Sequence, residues 1–467
     1  MYKKLLFTVF VAGLTVFSAN AQSNEFEYRR SSLSMIMLDT NDKTLTGDIK
    51  KTVVNTFNEK AIPNKFNDHN IDGLRSLNTK NLPSVTNEEI EKYQTNTEKL
   101  LAKASSVAKA SGIELPNISQ AEYIAQCMKY FEQNNIANKI IAKWFNISKT
   151  QRDGLYLDFK NIEERGFSGF TAEKKAELLQ MEGGKNKLAD AAIVDMVPRT
   201  FLVVTRYQFT SAQEIISEIV VPLQLAVVTA TEKANLAGNN PLVKKAVDIA
   251  TAKLNSEIEK QAAKIQGYFV NTRTYLFQLE WDKDIYENKF GMLAWDKAET
   301  VDAFMKDKSY KITYVGQTSK FAPASLTVSS DDKSLQLVAR AVNRSTDAAI
   351  GKLQKEYDVF KTLAPVYTEG EDVYAQIGVN EGVEEDSKFE IVEIIADAEG
   401  NITYKTTQKA KVIPEKIWDN RDGAGVEIEG EAKSGEEIKA DPNLKGTYLK
   451  AKAKKIVSGM HYVRQAK

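Results

Sequence analysis

The chain is poor in the side chains that most often carry chemistry, with one Cys and two His in 467 residues. A single Cys excludes an intrachain disulfide framework and any Cys-rich zinc or iron–sulfur site. Two His leave little material for a His-based metal centre, and no cofactor is expected. Charge of one sign is lacking too: 63 Lys+Arg stand against 63 Asp+Glu. That balance removes the broad attraction on which nonspecific nucleic-acid binding depends, so no nucleic-acid partner is expected. Long apolar runs are scarce. The most apolar internal stretch, residues 215–230, is interrupted by Glu218, Pro222 and Gln224, whereas a bilayer core needs roughly 20 predominantly apolar residues. It reads as a buried helix, with Pro222 at a kink or in a first turn; peripheral association with an outer membrane stays open. There is no Gly-x-Ser-x-Gly elbow, Walker A loop, dinucleotide fingerprint or His-Glu-x-x-His helix. What remains, 42% hydrophobic and 27% charged, is ordinary for a globular protein, and the length suits two or three domains.

The first residues carry an address. Lys3 and Lys4 form a basic start, Leu5–Phe17 an apolar run, and Ala19-Asn20-Ala21 the small residues that a signal peptidase accepts. Residues 1–21 therefore read as an export peptide, and the mature chain as periplasmic or outer-membrane-associated in a Gram-negative bacterium. Its removal takes two bases and no acid, leaving 61 basic residues against 63 acidic. The alternative is an N-terminal helix that stays buried or anchors the chain. No Cys follows the apolar run to take a lipid.

Periodicity divides the rest. Ser31–Leu38 reads as a strand. Ile49, Val53 and Phe57, spaced by four, place an apolar stripe on a helix ending near Ile62-Pro63. Residues 64–88 are polar and Asn-rich and read mostly as loop. Residues 88–145 read as two or three helices, 171–180 as another, and 211–263 as a long Ala-rich helical region. Phe201–Val204, with an extension to Phe209, reads as a strand. Tyr275, Phe277 and Leu279 share one face of a second, and Tyr310, Ile312 and Tyr314 repeat that period. Val338, Val342, Ala349, Leu353, Tyr357 and Phe360 mark an amphipathic helix from 332 to about 360. Short alternating runs follow, with a hairpin turn at 397–401. The expected fold is α+β: a mixed body over 22–360 with long helical insertions, then a small β-barrel-like domain over 361–467.

Charge segregates within that last segment. Glu369–Glu399 holds eleven acids and one base, and Lys445–Lys467 seven bases and no acid. The two stretches either complement each other or form separate solvated faces. Lys450, Lys452 and Lys454 alternate with smaller residues, pointing lysines off one sheet face, where they discourage edge pairing.

Three clusters carry candidate chemistry. Asp68, Asn70, Asp72 and Gly73 match the opening of a calcium loop, but Thr79 stands where the bidentate Glu belongs, so a polar connection is preferred to a metal site. Glu280, Asp282, Asp284 and Glu287 surround Trp281, and carboxylates beside an aromatic ring suit sugar binding or hydrolysis. The simpler alternative has Asp282 or Asp284 capping a helix that begins near Ile285. Asp419 and Arg421, before Gly423 and Gly425, suggest a structured turn with binding potential. Cys127 reads as a buried apolar contact, His461 as structural, and His69 as a loop hydrogen-bonder.

Several phrases resemble an uncharacterised family of secreted or periplasmic Bacteroidetes proteins: IPNKFNDHN at 62–70, RTFLVV at 199–204, YLFQLEW at 275–281, AIGKLQKEYDVF at 349–360, IGVNEG at 377–382 and IWDNR at 417–421. The resemblance implies envelope localisation and no assigned activity. The expected function is a noncatalytic envelope scaffold or binding protein with an envelope protein or glycan as partner. The alternative is a carbohydrate-binding protein or hydrolase using residues 280–287.

Overall fold

The computed structural model describes residues 31–40, 47–63, 66–95, 120–147, 196–211, 268–295, 297–325, 332–361, 363–396, 402–421, 440–457 and 461–466, with a few isolated positions besides. The expected export peptide, nearly all of the helices expected at 171–180 and 211–263, and the hairpin turn at 397–401 lie outside them. The described chain combines helices and sheets, as an α+β protein does.

One mixed sheet organises the first part. β1 (Ser31–Asp39) pairs in parallel with β2 (Phe66–Asp68), β3 (Ser76–Asn78) and β4 (Thr200–Ser211). β5 (Tyr268–Leu279) and β6 (Ile312–Ser325) extend it antiparallel, giving the order β2-β1-β4-β5-β6. β2 and β3 correct the expectation of a loop over 64–88. Each is only three residues long, and each exists because β1 supplies its backbone partners. Phe66 and Leu77 are their buried anchors.

Both faces of the sheet are covered. Period-2 alternation sends Leu202, Val204, Tyr275, Phe277 and Leu279 to one side, against α3 (Ala121–Gln133), α4 (Ile136–Trp144) and α5 (Ala298–Lys306). Leu33, Met35, Phe201, Val203 and Leu276 go to the other, against α1 (Gly47–Glu59) and α6 (Asp332–Glu356). The four-residue spacing of α1 buries Val53 and Phe57 as expected. α6 also meets the sheet through hydroxyls: Thr272 donates to Ser345 and Tyr207 bonds Thr346, both at 2.6 Å. Lys60, just past α1, pairs with Asp347 at 2.9 Å, with both side chains about nine-tenths buried. At Gly316, β6 passes directly beneath the Tyr357 ring, where no Cβ has room. Tyr357's hydroxyl accepts from the amide of Gln317 (3.0 Å) and donates to its carbonyl (3.1 Å). Phe360 then packs 4.9 Å from Phe201 and 5.2 Å from Phe66. Such ring pairs contribute about 0.5–1.5 kcal/mol each beyond area burial, so the chain is pinned to the sheet as it leaves it.

The remaining strands form a ring of pairings: β7 (Ala364–Glu369), β8 (Asp372–Ala375), β9 (Lys388–Ala396), β10 (Ile402–Val412), β13 (Thr447–Lys450) and β14 (His461–Gln465), ordered β10-β13-β8-β7-β14-β9 and returning to β10. A short parallel pair, β11 (Ile417–Trp418) with β12 (Ala440–Asp441), lies beside it. The seams are uneven. β9 and β10 share nine residue pairs, but β10–β13, β13–β8 and β7–β14 share two each. Small aliphatic side chains fill the inside, among them Val366, Val373, Ala375, Ile391, Val412 and Val463.

Candidate functional site

The acidic–aromatic segment 280–287 does not form a site. Trp281 is 6% exposed and packs against Phe145 and Phe290 in the sheet core, leaving no ring face for a sugar. Asp282 accepts from the Ile285 amide at 2.7 Å, the capping role anticipated for it. Asp284 accepts from Asn288 at 2.6 Å, and Glu287 faces Lys283 at 3.6 Å. These three carboxylates are exposed while the indole points inward, and Glu280 is only half-buried.

The calcium alternative fails on its donors. Asn70 spends its side-chain oxygen on the Met35 amide at 2.9 Å, and its backbone carbonyl accepts from the ammonium of Lys143. A cation sits where a metal would need oxygen. Asp68 accepts from the Asn70 amide at 2.8 Å and closes the turn. Among the described residues no group of three or more His, Cys, Asp or Glu is placed to hold a metal. His69 is fully buried, donates from Nε2 to the Ile140 carbonyl at 2.9 Å, and ties the turn to α4. Cys127 is buried in α3, and burial pushes its thiol up to about 12. His461 Nδ1 accepts from the Val457 amide at 3.1 Å.

Asp419 and Arg421 belong to a joint. Arg421 grips Asp419 with two nitrogens, at 2.8 and 2.6 Å. Burial pushes the Asp419 carboxyl up, but Arg421 and, behind it, Arg344 of α6 outweigh burial and hold it below the usual carboxylate range. Between them Asn420 accepts from the Asn380 amide at 2.9 Å and donates to Glu381 at 2.9 Å. Residues 377–382 and 417–421 thus interlock. α6 enters the same joint at Gly351, where a Cβ would stand 2.6 Å from the Asn380 carbonyl oxygen. Three of the phrases singled out in the sequence meet here, and what they build is a fixed connection between α6 and the strand ring.

The acidic and basic stretches of the ring are partly complementary. Lys445 pairs with Glu369, and Arg464 with Glu390 at 2.6 Å. Lys450, Lys452 and Lys454 stay exposed. Tyr367, Tyr374 and Tyr448 stand side by side across β7, β8 and β13 at 5.5 Å spacings. Lys445 and Lys416 lie over the rings of Tyr374 and Tyr448 at 4.8 and 4.5 Å. The row reinforces a seam that has few backbone bonds.

Among the described residues a concave feature lies elsewhere. A cleft of about 250 Å³ opens between α2 (Asn87–Glu91), α3 and the start of β6. Its floor is apolar: Ala125, Met128, Phe131, Ala137 and Ile312. Its rim carries both signs of charge, Glu89 and Glu132 with Lys92, Lys129 and Lys311. The rim is built from a capping box. Thr86 accepts from the Glu89 amide at 3.2 Å, and the Glu89 carboxylate accepts from the Thr86 amide at 2.7 Å. The same carboxylate holds Lys129 of α3 at 3.0 Å, bracing α2 against α3. The Thr86 bond first, and Lys129 with it, keep the Glu89 carboxyl below its ordinary range.

Tyr310 walls the cleft. It is 5% exposed, and its buried hydroxyl has no hydrogen-bond partner. Burial, with Asp307 adding to it, pushes that phenol well up. An orphaned buried hydroxyl costs about 1–3 kcal/mol, which core packing alone gives no reason to retain. Lys289 lies 3.6 Å from the Tyr310 ring centroid. It comes from a π-helical turn, Ile285–Phe290, and such turns often mark functional positions. Burial lowers the Lys289 ammonium; Asp307 opposes this and Lys311 adds to it. Lys289, two residues past the segment flagged for its acids, thus meets the cleft wall from behind through Tyr310. Sequence reasoning missed the cleft altogether; the one local sign of it was Thr86-x-x-Glu89, the pattern of a capping box.

No family model matches the chain, and no curated protein matches it.

Proposed function

We propose that this is an exported, noncatalytic binding protein of a bacterial cell envelope, with the cleft between α2, α3 and β6 as its ligand site. The observation that carries the reading is a concave space whose lining joins apolar side chains to charges of both signs, with a buried, unpartnered phenol in its wall; ligand sites are concave and orient their ligands through a few placed polar groups. The chemistry-bearing candidates elsewhere support it by what they already do. His69, His461, Asp282 and Asp419 hold backbone or ion-pair partners, and Cys127 is a buried, neutral thiol. The export peptide read in residues 1–21 and the resemblance to secreted Bacteroidetes proteins support the envelope location. The terminal strand ring is read as a small β-barrel-like domain, jointed to α6 and available as a scaffold toward other envelope components.

Native mass spectrometry of the protein isolated from its own cell envelope tests the reading. A small molecule should travel with the wild type and be lost from Lys92→Glu/Lys311→Glu. A wild type with no bound mass, or an adduct unaffected by the double variant, contradicts the assignment of the cleft.

A further inference from the structure

We propose that the ligand of this cleft is a free α-amino acid with an aliphatic side chain; the inference rests on the binding reading above and names its substrate class. The charges are the first reason. Glu89 and Lys129 neutralise each other at 3.0 Å, which among the described residues leaves Lys92 and Lys311 as the rim's cations and Glu132 as its anion. A simple anion meets a carboxylate at this rim, and a simple cation meets two ammonium groups. A zwitterion satisfies both, its carboxylate toward the lysines and its ammonium toward Glu132.

The floor is the second reason. Met128, half-buried in the lining, offers apolar contact of the kind an aliphatic side chain buries, with Phe131 and Ile312 backing it from the core. Met128 also gives an adaptable surface, because its unbranched thioether fills irregular gaps.

Ring geometry decides against a sugar. Sugar recognition needs an open aromatic face, and the aromatic side chains here are engaged by their own neighbours. Lys289 lies over Tyr310 at 3.6 Å, Tyr93 meets Tyr314 edge-on at 5.7 Å, and Phe131 meets Phe277 edge-on at 5.2 Å. Size agrees as well. The cleft, at about 250 Å³, falls below the roughly 300–1,000 Å³ typical of sites for drug-sized ligands. The buried Tyr310 hydroxyl gives the wall an uncommitted donor, which a bound carboxylate recruits by a small adjustment of the ring.

Calorimetric titration of the full chain with four probes tests the inference: L-leucine, 4-methylpentanoate (no ammonium), 3-methylbutylamine (no carboxylate) and glucose. Leucine should bind saturably, and each compound lacking one charge about tenfold more weakly, the factor that corresponds to about 1.4 kcal/mol. Lys311→Met should weaken leucine and 4-methylpentanoate alike. Glu132→Gln should weaken leucine and abolish its advantage over 4-methylpentanoate. Equal binding of leucine and 4-methylpentanoate overturns the inference, as does a Glu132→Gln variant that keeps the full preference. Glucose or a single-charge probe binding in a Lys311-dependent way, with leucine silent, overturns the amino-acid assignment but leaves the cleft a binding site. Silence of all four also overturns it, and the envelope-derived adduct then decides the broader reading independently.

Discussion

The sheet body and the terminal ring achieve stability by different means. In the body, β4, β5 and β6 share long ladders, eleven residue pairs in β4–β5 alone, and both faces are covered by helices. Its larger core is aromatic, with Trp144, Phe145, Phe277, Phe290 and Phe304 nearly or fully buried. In the ring, three seams rest on two residue pairs each and the core is small and aliphatic. Ion pairs and a tyrosine row reinforce those seams from outside. The contrast teaches that the body is a rigid platform able to keep a cleft open. Among the described residues the ring is tied to the body at the Gly351–Asn380 joint, and also by Lys355 with Glu384 at 3.1 Å and by Arg199 donating to the Tyr404 hydroxyl at 3.3 Å.

The largest effect separating the two regions should come from the body core. Phe277→Ala should cost about 3–5 kcal/mol, read by denaturant unfolding of the whole chain, as aromatic truncations in close-packed cores do. Leu449→Ala in the ring should instead speed hydrogen exchange locally in β8 and β13, leaving β4 and β5 protected. Coincident loss of protection in both regions would erase the distinction.

Next in size is the joint. Gly351→Ala puts a methyl group into the Asn380 backbone, and overpacking of this kind costs about 1–3 kcal/mol. Limited proteolysis should show the ring released from α6 with the sheet body intact.

A smaller effect of opposite sign is expected at the cleft. Tyr310→Phe removes the orphaned hydroxyl and should stabilise the ligand-free protein by about 1 kcal/mol, measured as a rise in Tm. Destabilisation by this variant would mean that the hydroxyl is already satisfied.

The smallest concerns pH. The Asp419 carboxyl is held below its ordinary range, so its contribution is complete above the unfolded-state carboxylate pKa and is lost as pH falls through the depressed value. Acid below the ordinary carboxylate range should therefore loosen the joint, seen as faster exchange in residues 417–421, and Asp419→Asn should remove that acid-dependent step.

What was legible in the sequence follows the range of the interactions. Phe201–Val204, Tyr275–Leu279 and the stripe of Val53 and Phe57 announce their faces by local period, and the structure keeps those faces. Asp282 as a cap and Asp419–Arg421 as a turn are equally local. β2 and β3 escape detection because β1, more than thirty residues earlier, supplies their partners. The joint depends on Gly351 meeting Asn380, and the cleft on residues near 90, 128 and 311 converging. No window of sequence contains either. Segment 280–287 misled for a related reason: spacing along a chain does not say that Trp281 turns inward while its acids turn out.

The most direct test of the central claim is hydrogen exchange on the full chain with and without the small molecule recovered from the envelope. The account predicts that added protection concentrates in residues 87–93, 121–133 and 310–312, with the ring and segment 280–287 unchanged. Protection centred on the ring or on Glu280–Glu287, with the cleft unaffected, would contradict it.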